Sequence, residues 1–408
     1  MGGSEEDGGV KRLRLAVAGE SHGPGEVCIL EGVPAGLKLE AAMIDADLER
    51  RQRGYGRGGR MALEHDRVRI LSGVRLGSTL GSPICLLVDN IDHENWRPSM
   101  QPEPLPGWRP EQVTVPRPGH ADLPGMAKFG HTDARNVLER SSARETVGRV
   151  AAGAVARALL LEVGVRVAGF VRRIGNAALD VDFAALSPAE IDWDAVETSE
   201  CGCPDVAVEA AMRAAVDAAR REGESLGGVF EIWAWGLVPG VGGYAAPGDR
   251  LDGRLAGALC SIPAIKGVEV GLGFEAASRP GSAVHDPLLA GRSPGEPVWR
   301  STNRAGGLEG GMTNGMPLVV RAGMKPIPTL MRPLPSVDLS DGSAVSAHKE
   351  RSDVEAVSAA RVVGEAMVAL ELASAYMEKF GGDRVDDLRE AVAHYERRIG
   401  ERGLWRRS

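Results

Sequence analysis

Apolar residues recur along this chain with two periods, one typical of strands and one typical of helices. Charged and apolar side chains alternate over residues 12–18, which predicts a strand that ends immediately before Gly19. Further short apolar runs predict strands at residues 27–30, 68–71, 84–88, 229–237 and 317–321. The predicted strands are therefore spread over most of the chain, with helical segments between them.

Three segments have a helical pattern. Residues 41–53 begin acidic and end basic, which suits the helix dipole. Residues 133–163 and 352–380 are apolar on most faces, and helices of that kind are buried. Gly164 supplies a C-terminal stop for the first of these two long helices.

Residues 12–383 are predicted to form one domain, because no long linker or low-complexity block interrupts them. Residues 1–11 are acidic and glycine-rich, and they predict a disordered tail rather than a signal or transit peptide. Residues 384–408 are strongly charged and predict a terminal helix or tail. Residues 92–118 are rich in proline and tryptophan and predict an excursion over the surface.

Composition narrows the class of protein. Of 408 residues, 43% are hydrophobic but only 4% aromatic, which is typical of an enzyme with an Ala, Val and Leu core. The net charge of −8 argues against a nucleic-acid partner. No apolar run approaches the ~18 residues of a membrane span, so no membrane partner is expected. Five scattered cysteines favour a reduced, cytoplasmic compartment. No zinc motif, Walker A loop, nucleophile elbow or Rossmann fingerprint is present, so no metal site is predicted.

A cluster of five arginines is the clearest local signal. It contains no acid and no lysine, and four glycines separate its members: Arg50, Arg51, Arg53, Arg57 and Arg60. Because the protein as a whole is acidic, this cluster predicts a local pocket for a small, multiply charged anion.

Two histidines each lie beside a glycine, at positions where a loop follows or interrupts a regular element. His22 lies in GESHG and His120 in RPGHAD. An imidazole titrates near neutral pH and can act as a general acid. The alternative for each is an ordinary packed or surface histidine. His131 instead matches the entry to a helix.

Arg140 and Arg144 are four residues apart, so on a continuous buried helix they would share one face and need an anion or carboxylates nearby. Pairing with Glu139 and Glu145 is the structural alternative. Residues 325–329 (KPIPT) present a lysine and a hydroxyl on a stiff segment, which suits a phosphate or a flavin edge, or a purely structural loop.

Asp353 is open to two interpretations from the residues alone. Ser352 and Glu355 fit a capping box, which would make Asp353 a helix-supporting residue in the first turn. The alternative is a catalytic carboxylate.

Taken together, these motifs resemble those of the chorismate synthase family over about residues 13–383. They are residues 19–23 (GESHG), 50–58 (RRQRGYGRG), 117–122 (RPGHAD), 136–146 (NVLERSSARET), 264–267 (AIKG), 304–307 (RAGG), 310–315 (GGMTNG) and 351–353 (RSD). The resemblance implies an α/β fold, a β-α-β sandwich with long central helices between antiparallel sheets. It also implies a homotetramer.

The resemblance implies conversion of 5-enolpyruvylshikimate 3-phosphate to chorismate and phosphate, a 1,4-anti elimination. This reaction needs reduced FMN with no net redox change. A bifunctional form with its own NADPH:FMN reductase activity is the alternative, with NADPH as reductant. A regulatory protein that binds a phosphosugar or flavin without turnover is a rival from another class.

Site residues follow from the resemblance as well. His22 would protonate the leaving phosphate, His120 would stabilise the charge of the flavin, and Asp353 would help take the C6 proton. Residues that match substrate or NADP positions are Ser21, Arg51 and Arg57. Residues that match flavin positions are Arg140, Ser141, Ser142, Pro263, Ala264, Gly310, Lys325, Pro326, Ile327, Pro328, Thr329 and Arg351. At Pro263 many relatives carry Asn or Gln, so only a backbone contact is expected there.

Overall fold

A computed structural model describes residues 12–57, 65–291, 293, 296–347 and 353–407. Its α-helices are α1 (Ala41–Gln52), α2 (His93–Trp96), α3 (Asp122–Phe129), α4 (Arg135–Ser141), α5 (Thr146–Leu161), α6 (Trp193–Thr198), α7 (Val206–Glu222), α8 (Leu251–Cys260), α9 (Val357–Phe380) and α10 (Val385–Glu401). Its strands are β1 (Arg14–Ala18), β2 (Gly25–Glu31), β3 (Val68–Ser72), β4 (Val74–Arg75), β5 (Ser78–Thr79), β6 (Ile84–Asp89), β7 (Arg166–Ile174), β8 (Ala177–Ala178), β9 (Gly228–Trp235), β10 (Ile265–Val270), β11 (Leu288–Leu289), β12 (Trp299–Arg300), β13 (Leu308–Glu309), β14 (Met312–Thr313), β15 (Leu318–Met324), β16 (Pro335–Val337) and β17 (Ala344–Ser346).

Two antiparallel sheets enclose the long central helices. The first has the strand order β1-β2-β6-β3 and the second β10-β15-β9-β7-β8. In the first sheet the alternating pattern buries Cys28, Leu30 and Leu86 on the inner face, while Ile29 remains 40% exposed on the outer face. Both sheets include strands predicted from sequence, displaced by at most about three residues.

Helices α5 and α9 form the middle layer. Gly148 of α5 lies against Val17 of the first sheet, and Gly364 of α9 lies against Phe230 of the second. The two helices cross closely, because a Cβ built on Gly153 would lie 2.2 Å from the Cβ of Ala366. This arrangement confirms the predicted α/β sandwich with central helices between antiparallel sheets.

The two central helices run in the same direction. Their N-terminal ends share the end of α1 as a neighbour, since Arg51 reaches Thr146 and Gly54 lies against Ser358. Their C-terminal ends both pack near α10. The positive ends of two helix dipoles therefore point to the same side of the molecule.

Both long-helix predictions need correction. Residues 133–163 form α4 and α5, interrupted at Ser142, whose backbone is extended (ψ 145°), and by a short 3₁₀ turn. The second long helix begins at Val357, later than predicted, and the carboxylate of Glu355 accepts the Val357 and Ser358 amide protons at 2.6 and 3.3 Å. Asp353 therefore precedes the helix rather than supporting its first turn.

Outside the sandwich, a second apolar cluster covers the far face of the second sheet, with Phe170, Trp233 and Val319 in its centre. Residues 384–408 contribute α10, the helical alternative of that prediction. Among the described residues, no helix combines the length and apolar character needed to cross a membrane.

Candidate active site

Most of the predicted site residues gather at the N-terminal ends of α5 and α9. The loop after β1, the end of α1, the break between α4 and α5, and the segment after β15 all reach this end of the molecule. The direction of β1 explains the first of these, because the strand passes Ser374 at Leu13 and α5 at Val17 before it delivers His22.

His22 is held on several sides. Its backbone N–H donates to Glu139 Oε2 at 2.9 Å, and His93 Nδ1 donates to its carbonyl oxygen at 2.9 Å. Its ring Nδ1 lies 2.9 Å from both carboxylate oxygens of Glu139, and the Trp96 ring lies 4.1 Å from its own, centroid to centroid. The histidine side chain is only 15% exposed.

Glu139 is the acidic partner of this histidine. Burial alone would raise its pKa, but the hydrogen bonds and charge of His22, with Arg135, outweigh burial and lower the pKa. Arg135 Nη1 donates to Glu139 Oε1 at 3.1 Å, and its guanidinium lies 4.9 Å above the Trp96 ring. The Ser21 amide, next to His22, donates to the Glu139 carbonyl at 2.9 Å.

Arg51 is buried in a cationic corner. It donates from Nε to Thr146 Oγ1 at 3.0 Å, and its Nη1 lies 3.3 Å from Asp66 Oδ2. Arg144 reaches the other oxygen of the same carboxylate at 2.9 Å. Two arginines thus share one aspartate beside the first turn of α5.

Arg57 and Asp353 form a second pair, with Nη1 and Oδ2 2.9 Å apart. Side-chain exposures are 12% and 20%. The Val354 amide donates to the Gly56 carbonyl at 2.9 Å, so the two loops are joined directly. Gly56 has a φ of +86°, and a Cβ there would lie 2.7 Å from Val216, so α7 presses this loop into place.

The arginine cluster does not act as one pocket. Arg50 binds Glu197 and Glu365 inside the core at 2.7 and 2.8 Å, and Arg53 pairs with Glu49 on the surface. The prediction of five converging arginines is therefore wrong for these two, because the helical turn of α1 points them away. Arg60 lies outside the described residues.

His120 also has an acidic partner. Its Nδ1 lies 2.5 Å from Asp122 Oδ1, and Arg117 Nε donates to the other oxygen at 2.9 Å. Burial would raise the Asp122 pKa, but the hydrogen bonds from His120 and Arg117 prevail and lower it.

The segment 325–329 meets the His120 loop and the end of α8. Lys325 Nζ donates to the Gly119 carbonyl at 2.5 Å, and its amide donates to the Ala264 carbonyl at 3.0 Å. Ser225 Oγ donates to the Ile327 carbonyl at 2.6 Å. Burial, together with Lys266, lowers the Lys325 pKa. Ala264 has a φ of +69°, a conformation that non-glycine residues rarely adopt. Pro263 precedes it.

Arg140 is not on a common helix face with Arg144, because α4 ends at Ser141. Its guanidinium donates to the carbonyls of Val17 and Gly19 at 2.9 and 3.0 Å, and Glu26 Oε2 lies 3.4 Å away. Arg140 pairs with Glu26 and Arg144 with Asp66, carboxylates that are distant from them in sequence.

Other residues of the proposed flavin set have local partners or lie elsewhere. Ser141 Oγ donates to the Val137 carbonyl at 2.9 Å, and Ser142 Oγ accepts the Arg144 amide proton at 3.3 Å. Gly310 and Ala264 lie at opposite ends of α8. The carbonyl of Gly311, next to Gly310, accepts from the amide of the first residue of α8, whereas Ala264 follows the last turn of that helix. Arg351 and Ser352 lie outside the described residues.

Some residues of the site carried no signal of their own in the sequence. Trp96, Asp66 and Glu26 come from segments without a motif, and tertiary packing brings them in. Glu139 and Asp122 both lie inside motifs. Asp122 shares RPGHAD with His120, so the sequence could have identified that pair, whereas Glu139 is distant in sequence from His22.

Fold and site define an α/β enzyme whose buried cations and histidines suit a multiply charged anion. A family model described as chorismate synthase matches residues 13–377. The chorismate synthase of Rubrobacter xylanophilus is 56% identical over 389 residues, covering 95% of this chain and 98% of the relative. That of Desulforudis audaxviator is 54% identical over 391 residues, with coverage of 95% and 98%. A crystal structure described as chorismate synthase has a TM-score of 0.77 at 41% identity, covering 95% of this chain and 98% of the other. The chain belongs to the chorismate synthase family, and so to the phosphate-eliminating lyases.

Proposed function

We propose that the chain converts 5-enolpyruvylshikimate 3-phosphate to chorismate and phosphate by 1,4-anti elimination, with reduced FMN present and no net redox change. The observation that carries the proposal is the meeting of a buried imidazole, a paired carboxylate and a set of arginines at one end of two parallel helices. A regulatory binding protein would need the arginines but neither proton-transfer group.

The substrate carries a phosphate and two carboxylates, so it needs several cations. Arg57, and the corner formed by Arg51 and Arg144, supply cations at this end of the molecule. Arg57 Nε is buried without a hydrogen-bond partner, which leaves a donor for an incoming anion. The N-terminal ends of α5 and α9 add positive potential on the same side.

Proton transfer is assigned to two groups. His22 donates a proton to the departing phosphate, since an imidazolium is a suitable general acid near neutral pH. Asp353 helps to receive the C6 proton. Arg57 holds its carboxylate in position, and Asp353 lies before α9, which begins at Val357.

Residues of this chain fit FMN in part. Lys325 and Lys266 lie close enough for the charge of Lys266 to lower the pKa of Lys325, and such a pair of cations suits a phosphate. Ala264, with its left-handed backbone (φ +69°), adjoins them. Arg140 donates to the Gly19 carbonyl in the loop after β1. His120 lies next to Gly119, whose carbonyl accepts from Lys325. Gly310 does not fit within one chain. Reduced FMN, when bound, supplies transient electron donation that weakens the C–O bond.

Two further expectations belong to this proposal. We favour the monofunctional form, in which FMN is reduced elsewhere. A bifunctional form would bind NADPH through Arg51 and Arg57. On the outer face of the first sheet Ile29 is 40% exposed, next to the partly buried Val27 and Leu87, and this exposed apolar side chain supports assembly into a homotetramer. All five cysteines are unpaired, which supports a reducing, cytoplasmic location.

Anaerobic incubation of the enzyme with the substrate tests the proposal. Photoreduced FMN should support chorismate formation, and oxidised FMN alone should not. NADPH plus oxidised FMN separates the alternatives, because only a bifunctional enzyme would then be active. Equal rates with reduced and oxidised FMN would contradict the role assigned to the flavin.

A further inference from the structure

The contacts of His22 establish which ring nitrogen faces the Glu139 carboxylate. Its backbone N–H, backbone carbonyl, ring Nδ1 and one ring face all have partners, contributed by Glu139, His93 and Trp96. Since a carboxylate can only accept, Nδ1 must carry a proton and donate it to Glu139. The proton that the ring gives to a ligand is then the one on Nε2.

Glu139 is itself fixed as an anion. Its side chain is only 4% exposed, and Arg135 donates to it from the same helix at 3.1 Å. The stacking of Arg135 over Trp96 closes a ring of contacts around the imidazole. These neighbours leave little freedom for the carboxylate to turn away.

We propose that Glu139 is a positioning residue for the elimination: it fixes the tautomer and orientation of His22 and stabilises its imidazolium form. The inference rests on the proposed function, because it acts through the proton that His22 gives to phosphate. In that step the Nε2–H bond breaks, an O–H bond forms on the departing phosphate, and the imidazole is left neutral. The Nδ1–H···carboxylate hydrogen bond persists, and Glu139 stays ionised throughout.

Several titratable or charged groups face His22 and enter its pH dependence. They are Glu139 and Arg135 from α4, His93 from α2, and Glu20 from its own loop. The Glu139 carboxylate lies 2.9 Å from ring Nδ1, so its charge acts on the imidazole at hydrogen-bond distance.

Glu139→Gln tests the assignment with almost no change of shape. The amide oxygen can still accept the His22 backbone proton, but the anionic charge is gone. We expect kcat to fall by about tenfold or more with KM little changed, since the substrate contacts are untouched. The alkaline limb of the kcat–pH profile should move to lower pH by about one unit, because the imidazolium has lost its counter-charge. Glu371→Gln, a buried glutamate paired with Arg254 away from this histidine, is the matched control and should keep both rate and profile.

A double mutant separates positioning from general structural support. If Glu139 acts through His22, His22→Ala combined with Glu139→Gln should be no slower than His22→Ala alone. A further loss in the double mutant, or an unmoved alkaline limb in Glu139→Gln, would overturn the inference. Glu139→Asp, which keeps the charge, should keep the wild-type limb even if its rate falls, and it serves in place of the glutamine variant if that variant folds poorly.

Failure of the proposed function gives a different result from failure of this inference. A wild-type enzyme that makes no chorismate with reduced FMN contradicts the function itself. A wild-type enzyme that turns over, with a Glu139→Gln variant of the same rate and pH profile, contradicts only the role of Glu139.

Discussion

Single residues at this site are organised by pairing. Arg57 contacts Asp353, and its Nε remains without a partner. Arg57→Ala should therefore weaken substrate binding by about 1.5–3 kcal/mol, a rise in KM of roughly tenfold or more, because a charge-assisted contact is lost. Arg53→Ala, from the same segment but paired with Glu49 on the surface, should leave KM unchanged. Steady-state kinetics of the two variants decide the point, and equal KM values would place Arg57 outside the substrate site.

Substitution of Asp353 distinguishes the two roles considered for it, a catalytic carboxylate and a helix cap. Because α9 begins only at Val357, Asp353→Asn should slow turnover strongly while the unfolding free energy changes by less than about 1 kcal/mol. Asp205→Ala gives the opposite pattern. Asp205 caps α7 through the amides of Ala207 and Val208, so its loss should cost about 1 kcal/mol without changing the rate. Normal turnover with a lowered melting temperature in Asp353→Asn would show that the residue is structural.

Glu26 gives the fold a predictable pH response. Burial raises its pKa from 4.5 to about 7, an effect only partly offset by Arg140 and Arg144. Between these pH values the folded state holds a proton that the unfolded state has released, so stability falls as pH rises from about 4.5 to about 7. Glu26→Gln cannot ionise and should remove about 1–3 kcal/mol of that fall.

Urea unfolding of wild type and Glu26→Gln at pH 5 and pH 8 measures this difference. Glu31→Gln, on the same strand but partly exposed, should behave like wild type. A gap between wild type and Glu26→Gln that is the same at both pH values would contradict the assignment.

Several residues at this scale could be singled out from the sequence, and their catalytic and binding roles stay predictions. His22, His120 and Arg57 lie in motifs, Asp353 was assigned its role only through the family resemblance, and the structure gives each of the four a charged partner. The pairings themselves were not predictable, because Arg50 and Arg57 differ only in where the backbone points them. The sequence offers Glu139 as one possible partner for an arginine. Nothing in the sequence indicates that it faces His22.

At the scale of elements, each predicted strand forms, but β7 and β10 of the second sheet were not predicted, and the helix ends were placed poorly. Alternation specifies a strand over a few residues, whereas the break at Ser142 depends on tertiary contacts of Arg144 with Asp66 and of Thr146 with Arg51. The start of α9 was misplaced for a related reason. A capping box matched the local sequence, but the Glu355 carboxylate bonds to the amides of Val357 and Ser358 instead.

The crossing of α5 and α9 allows a sharp test with one substitution at two places. Gly153→Ala would place a Cβ 2.2 Å from that of Ala366, so it should destabilise the fold by about 1–3 kcal/mol. Gly257→Ala, in α8 with nothing within 4 Å, should stabilise it by about 0.5–1 kcal/mol, since alanine favours a helix. Thermal or urea unfolding gives both values. Effects of the same sign would contradict the close helix packing.

At the scale of the whole molecule, two parallel helices collect residues from distant parts of the chain at one end. This could be expected only from resemblance, because no periodicity indicates which helix ends meet.

The exposed apolar face of the first sheet belongs to this scale as well. Ile29→Lys should shift the proposed homotetramer to smaller species in sedimentation velocity, since it puts a charge into that face. Leu76→Lys, at an exposed turn, should leave the assembly unchanged. An unaltered sedimentation coefficient for Ile29→Lys would remove this sheet from the interface.

The most direct test of the central claim is the stoichiometry of the reaction under anaerobic conditions. Enzyme, 5-enolpyruvylshikimate 3-phosphate and a small amount of photoreduced FMN are mixed, and chorismate, phosphate and flavin absorbance are followed together. The proposed elimination predicts one phosphate per chorismate over many turnovers, with the flavin still reduced at the end. Consumption of one reduced flavin per product, or phosphate release without chorismate, would contradict it.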